Sequence, residues 1–130
     1  MPLPSDVAYL NSQKVRAVVN MCREYEGPLE LYKKHDIEQL HCPTADLCEP
    51  SIEHLQQAVA FIQSHTSAQR RVVVHCKGGR GRAVAVALCY LISQGHDPHQ
   101  AMDLICAKRS VAARAVLRSP AIKKFILACK

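Results

Sequence analysis

Tryptophan is absent from this chain, and four Tyr and two Phe supply all its large aromatic surface. A module that stacks on nucleic-acid bases needs more than that, so nucleic-acid binding is not expected. No apolar run is long enough to span a bilayer. The opening MPLPSDVAYL lacks the basic and apolar blocks of a signal peptide, and it is not an Arg-rich transit sequence. These absences predict an intracellular protein, cytoplasmic by default. No Cys-x2–4-Cys pair occurs, so His41, Cys42, Cys48, His75 and Cys76 do not make a zinc pattern and no metal is expected. The seven cysteines are odd in number and irregular in spacing, which excludes a disulfide framework. No repeat, low-complexity segment or linker interrupts the chain.

What remains is one domain, 1–130, of ordinary globular composition and a formal net charge of +6. That charge favours anionic partners without choosing among them. Residues 15–21 (VRAVVNM) and 71–75 (RVVVH) read as buried strands, and 37–42 (IEQLHC) as an alternating strand that breaks at Pro43. A short helix is expected over 27–35, opened by Pro28. A longer one is expected over 51–65, with Ser51 as N-cap and Ile52, Leu55, Val59 and Ile62 on one face. Arg82 to Gln94 should form an almost wholly apolar helix closed by Gly95. Asp97-Pro98 and Ser119-Pro120 signal two further helix starts, the first helix reaching about Ala107. Strands interleaved with helices imply an α/β fold, with a mostly parallel central sheet flanked by helices. Cys89, Cys106 and Cys129 fall on apolar helical faces, where a thiol acts as a small hydrophobe.

Between the strand ending at His75 and the helix from Arg82 lies Cys76-Lys77-Gly78-Gly79-Arg80-Gly81. A core segment avoids such charge and glycine, and a plain surface loop needs no such apolar flanks. Glycines let a loop curl until successive N–H groups face inward as an anion nest. The helix that follows adds its N-terminal partial charge. A cysteine at the base of that nest is favoured as a thiolate. Arg82 returns to the rim, where its guanidinium can hold two phosphate oxygens. His75 is expected to order the loop from behind through a hydrogen bond rather than to act as a base.

His75-Cys76-x5-Arg82, with Gly79 and Gly81 in place, closely resembles the signature of the cysteine-dependent protein tyrosine phosphatase superfamily. Residues 15–47 extend the likeness to the dual-specificity branch related to the mitochondrial phosphatases of phosphatidylglycerophosphate. Asn20, Glu24, Tyr25 and Pro43-Thr44-Ala45-Asp46 carry that part of it. The resemblance implies Cys76 as nucleophile, Arg82 and the loop residues 77–81 as phosphate ligands, and Asp46 as general acid. Glu49 and Asp36 are the substitutes for Asp46, Glu49 being on the same loop. The resemblance also implies a metal-independent and cofactor-free hydrolysis through a cysteinyl-phosphate, and it makes a mitochondrial location conceivable. Arg109 and Arg114 match cations of the family and could flank the cleft.

Three departures stand out. Ala83 replaces the usual Ser or Thr after the arginine, which predicts slow breakdown of the intermediate and keeps a phosphate-binding pseudophosphatase as the alternative. Ser119-Pro120 offers no Gln to position water. Little precedes PLPSDV, so the family's first N-terminal strand is missing or another segment covers that edge. Lys77 and Arg80 beside Arg82 resemble the extra loop cations by which some lipid phosphatases of this superfamily take multiply charged headgroups, the alternative being two solvated charges at a basic rim. The resemblance puts phospholipid or phosphoinositide substrates first and phosphotyrosine or phosphothreonine proteins second. The basic stretch 108–124 would suit peripheral contact with an anionic membrane. Cys42 or Cys48 could pair with Cys76 on oxidation. Nothing in the sequence calls for an obligate oligomer.

Overall fold

The central strand of this protein is buried on both faces, which dictates the layers around it. In the computed structural model, which describes residues 1–129, β1 (Val15–Cys22) lies between β2 (Glu38–Thr44) and β3 (Arg71–His75), in the order β2-β1-β3. Both pairings are parallel. The near-continuous VRAVVNMC run follows from this, because a central parallel strand is covered from both sides. On one face Val19, Met21 and Cys22 pack against α3 (Ile52–Thr66), α4 (Arg82–Ser93) and α6 (Pro120–Ala128). On the other, Val15 and Val18 meet Val7 of α1 (Val7–Ser12), Tyr32 of α2 (Leu29–Lys34) and Ile37. The fold is therefore α/β, with helices flanking a parallel sheet.

The N-terminal residues form a 3-10 turn (Pro4–Asp6) and α1, and Val7 seals the smaller core at 1% exposure. Among the described residues no strand lies outside β3. Pro43 does not end β2, which continues to Thr44. Two physical facts permit this. The strand is at the sheet edge, where a missing N–H costs no ladder bond, and the register shifts there, Asn20 facing His41 while Cys22 faces Thr44. The edge proline thus sits in a bulge that turns the chain toward Asp46.

The helix ends follow the sequence signals. Ser51 accepts from His54 N–H, Asp97 from His99 and Gln100 N–H, and Ser119 from Ile122 N–H. Gly95 closes α4 at φ +97. Along α4, Val84, Ala85, Val86, Leu88 and Cys89 are all buried. Each fully buried large aliphatic is worth about 1.5–3 kcal/mol, so the start of α4 is anchored far more strongly than a loop could be on its own. α5 (Pro98–Lys108) packs on α4 through Ala101 and Met102, and a 3-10 turn at Arg114–Arg118 joins it to α6.

Candidate active site

Parallel strands all deliver their C-terminal ends to one edge, and the chemistry-bearing residues gather there. β3 ends at His75, so Cys76 emerges at the sheet rim, 4% exposed and packed into the main core cluster. The loop that follows reaches Arg82, the first residue of α4. Gly79 takes φ +66, a conformation open to glycine at little cost.

Arg82 is 3% exposed, unusual for a cation, and it survives burial because both terminal nitrogens of its fork are met. Nη1 donates to Glu24 Oε1 at 2.7 Å and to the Thr44 carbonyl at 2.8 Å. Nη2 donates to Glu24 Oε2 at 3.0 Å and to Asp46 Oδ1 at 3.2 Å. Glu24 is thus a bidentate partner that takes the end of the guanidinium. The Arg82 hydrogen bonds hold the Glu24 carboxyl at about 2, well below its usual 4.5, and the same contact pushes the Arg82 pKa up.

The position of Glu24 is itself built from sequence. Buried Asn20 donates from Nδ2 to the Tyr25 carbonyl at 2.7 Å and accepts from Cys22 N–H at 2.9 Å. This closes the turn after β1 around Glu24. Tyr25 then donates its hydroxyl to the Pro2 carbonyl at 2.7 Å, tying the N-terminal residues to the same turn. Motif spacing alone gave no signal for the Glu24–Arg82 pair. An arginine opening an apolar helix could have given one, since it demands a carboxylate, and Glu24 is the acid just past the neighbouring strand.

Asp46 sits on the loop after β2, half exposed, touching Arg82 Nη2. Its neighbour Leu47 has φ +64 and is 99% exposed, so this loop carries strain of the kind that persists at functional sites. A cavity of about 670 Å³ brings Asp46, Glu49 and Cys48 together with Cys76, Lys77, Arg80 and Arg82. Asp36 is not part of it and stands in the turn after α2 at φ +57.

The two candidate rim arginines are committed to protein groups. Arg114 pairs with exposed Asp103 at 2.8 Å. Arg109 donates to the Gly78 carbonyl at 3.1 Å and to the Gly79 carbonyl at 3.4 Å. Neither lines the 670 Å³ cavity. Among the described residues Lys77 and Arg80 have no ion-pair partner, leaving them as the free cations of the loop.

His75 is 5% exposed, and neither ring nitrogen has a hydrogen-bond partner among the described residues, so the expected loop-ordering hydrogen bond is not made and the ring acts on the loop by packing alone. Burial, above all, lowers its pKa from 6.5 to about 4 despite the opposing pull of the Cys76 backbone, so the ring is neutral at physiological pH. Cys42 is buried in β2, and burial raises its pKa. Cys48 is exposed on the loop that carries Asp46. Ala83 lies buried in the first turn of α4, behind the loop. No three His, Cys, Asp or Glu side chains among the described residues gather as a metal site, and none of the described helices is long and apolar enough to cross a membrane.

A cysteine beneath a glycine loop, with a clamped arginine and a carboxylate opposite, has clear relatives. Residues 4–118 match the family model of the dual specificity phosphatase catalytic domain. The chain belongs to this family. Among curated members, phosphatidylglycerophosphate phosphatase PTPMT1 of Arabidopsis thaliana is 37% identical over 121 residues, covering 90% of this chain and 35% of the relative. Human phosphatidylglycerophosphatase and protein-tyrosine phosphatase 1 is 34% identical over 119 residues, covering 85% of this chain and 59% of the relative. The chain therefore spans between a third and three-fifths of the length of these two relatives. Among solved dual-specificity-type structures, PTPMT1 in complex with PI(5)P superposes with TM-score 0.87 at 27% identity, covering 99% of this chain and 88% of that one. Tk-PTP in its active form gives 0.87 at 28% identity, covering 98% and 88%.

Proposed function

We propose that the chain is a metal-independent phosphomonoester hydrolase acting through a cysteinyl-phosphate. The observation that carries this reading is the cavity shared by Cys76, Arg82 and Asp46, with Asp46 already touching the guanidinium. In the first step the Cys76 thiolate attacks phosphorus in line, the ester P–O bond breaks, and the Asp46 carboxyl gives its proton to the leaving oxygen. Loop amides and Arg82 stabilise the equatorial oxygens, as a metal does in other phosphatases. In the second step water attacks phosphorus, passes its proton to Asp46, and the P–S bond breaks to regenerate the thiolate.

Phospholipid or phosphoinositide headgroups are the leading substrate class, ahead of phosphotyrosine and phosphothreonine proteins. The free cations Lys77 and Arg80 support a substrate with a second anionic group, and Leu47, Pro50, Ala113 and Val116 give the same cavity an apolar lining. The phosphatidylglycerophosphate phosphatase relatives and the PI(5)P complex of PTPMT1 support it too. Exposed Leu47 and the basic residues Arg118, Lys123 and Lys124 are compatible with peripheral contact at an anionic membrane.

The test is phosphate release from an aryl phosphate, from phosphatidylglycerophosphate, from a phosphoinositide and from a phosphotyrosine peptide. Sustained turnover that Cys76→Ser abolishes establishes the mechanism, and preference for the lipids that weakens in a Lys77→Ala/Arg80→Ala double variant establishes the substrate class. No release from any of the four overturns the enzyme. Ala83 favours one second reading, a phosphate-binding module whose intermediate breaks down slowly. A burst equal to the enzyme concentration followed by little further release would select it.

A further inference from the structure

The loop between β3 and α4 is braced from outside at three of its carbonyls. For the amides of residues 77–81 to face a phosphate, the loop carbonyls must turn the other way, and outward carbonyls left without donors would let the loop relax. Three consecutive carbonyls are met by one short segment. Arg109 Nη2 donates to Gly78 O and Nε to Gly79 O, and Ala113 N–H donates to Arg80 O at 2.7 Å. The guanidinium lies flat against Gly79, so close that a Cβ there would come within 2.5 Å of Arg109 Nε.

The platform beneath this contact is rigid. α5 is fixed to the core by buried Ala101 and Met102 and, at its last turn, by half-buried Ile105. Arg109 caps α5 in an extended conformation (φ −140, ψ 94), so its side chain leaves the helix axis toward the loop. Ala112 N–H bonds back to the Arg109 carbonyl at 3.0 Å, and this turn sets Ala113 against Arg80.

From this geometry we infer that residues 109–113 form a clamp that preorganises the phosphate loop, with Arg109 as a positioning residue rather than a substrate ligand. The clamp acts through the loop carbonyls, and the amides on the opposite side of those peptides gain their inward aim from it. The inference rests on the reading of the loop as an oxyanion site.

Vanadate binding by calorimetry tests it without depending on turnover. The variants are Arg109→Ala, Arg109→Lys and Ala113→Pro, the last removing the N–H donor at a backbone φ of −84 that proline accepts. Thermal melting of each variant, with vanadate absent, separates a folded protein with a loose loop from a protein that has unfolded. Loss of two hydrogen bonds at Arg109 should weaken vanadate about tenfold or more. Arg109→Lys should recover only part of that, since one ammonium does not reproduce the fork to both carbonyls. Ala113→Pro should weaken binding several-fold although it changes no charge. If Arg109→Lys binds as the parent does while Arg109→Ala does not, Arg109 contributes charge alone and the clamp is wrong. If the folded fraction of every variant binds vanadate at parental affinity, the clamp is wrong as well. Failure of the parent protein itself to bind vanadate would instead sink the oxyanion reading on which the clamp stands.

Discussion

Replacing Glu24 by Gln isolates the contact that orients Arg82, the proposed phosphate ligand. The substitution keeps the size of the side chain and one acceptor, but it turns an NH2 toward Nη2, where two donors then face each other. The Arg82 side chain is 3% exposed and that of Glu24 is 38% exposed, so the pair is neither a surface pair nor a fully buried one. Surface pairs contribute about 0–1 kcal/mol, and breaking a buried pair costs about 3–5 kcal/mol. With the solvent access of Glu24 discounted, a loss of about 1–3 kcal/mol in stability is expected.

Two effects on binding oppose each other. Removing a carboxylate makes the site more positive, which favours an oxyanion. It also frees Arg82 to swing toward Asp46, its remaining carboxylate. Orientation should win, because Glu24 takes the end of the fork and leaves the Nε side of the guanidinium for substrate. The expected fall in kcat/KM is about 10- to 100-fold, or roughly 1.4–2.7 kcal/mol of transition-state stabilisation. The pH behaviour gives an internal check. A carboxyl lowered from 4.5 to about 2 contributes stability that is fully present above 4.5 and lost only as pH falls toward 2. The stability difference between parent and variant should therefore stay constant from pH 8 to pH 5. The assays are urea denaturation across that range, vanadate calorimetry, and aryl phosphate kinetics. Tighter vanadate binding with unchanged kcat/KM would refute the orienting role and make Glu24 a mere counter-charge.

Three shorter predictions follow from the same site. Asp46→Asn should lower kcat by about 100-fold or more without weakening vanadate, because it removes a proton donor while relieving competition for Arg82 Nη2; stopped assays and calorimetry check the split. His75 is neutral in the fold with a pKa near 4 against 6.5 unfolded, so its burial should lower stability by about 3 kcal/mol as pH drops from 6.5 to 4, a contribution that levels off below while that of Glu24 is still being lost. A His75→Gln variant should show a shallower loss over that window in chemical denaturation. Ala83→Ser should raise the steady-state rate more than the burst rate in rapid-quench kinetics, since a hydroxyl there would stabilise the departing thiolate.

Much of the fold was legible because its signals are local. The strand at 15–22 is apolar on both faces because it is central, and the three capped helix starts at Ser51, Asp97 and Ser119 each answer to a side chain bonding an N–H within three residues. The site was legible where its chemistry is contiguous, from Cys76 to Arg82. What escaped depends on contacts between distant segments. Glu24 and Arg82 are 58 residues apart, and Arg109 and Gly78 are 31 apart. Periodicity places Arg109 only at the end of a helix, and it cannot tell whether the side chain turns to solvent, to substrate or to a loop carbonyl. Pro43 misled for a related reason: its effect on a strand depends on whether that strand is at the edge, which is a property of the sheet.

The distribution of charge around the loop then bears on selectivity. Four arginines and one lysine stand in or near the site, yet they are not equivalent. Arg82 is engaged by Glu24 and Asp46, Arg114 by Asp103, and Arg109 by loop carbonyls. In the proposed reaction a phosphate in the loop would be held by the loop amides and Arg82, which would suffice for any phosphomonoester. Lys77 and Arg80 remain for whatever lies beside that phosphate. Their side chains line the same cavity as the apolar residues Leu47, Pro50 and Val116, so cations and apolar surface face one ligand together. A phosphopeptide would meet this mixture only by chance of its sequence. An anionic headgroup joined to an apolar body presents both features in every molecule, and this match, rather than the net charge of the chain, is the reason to place lipids first.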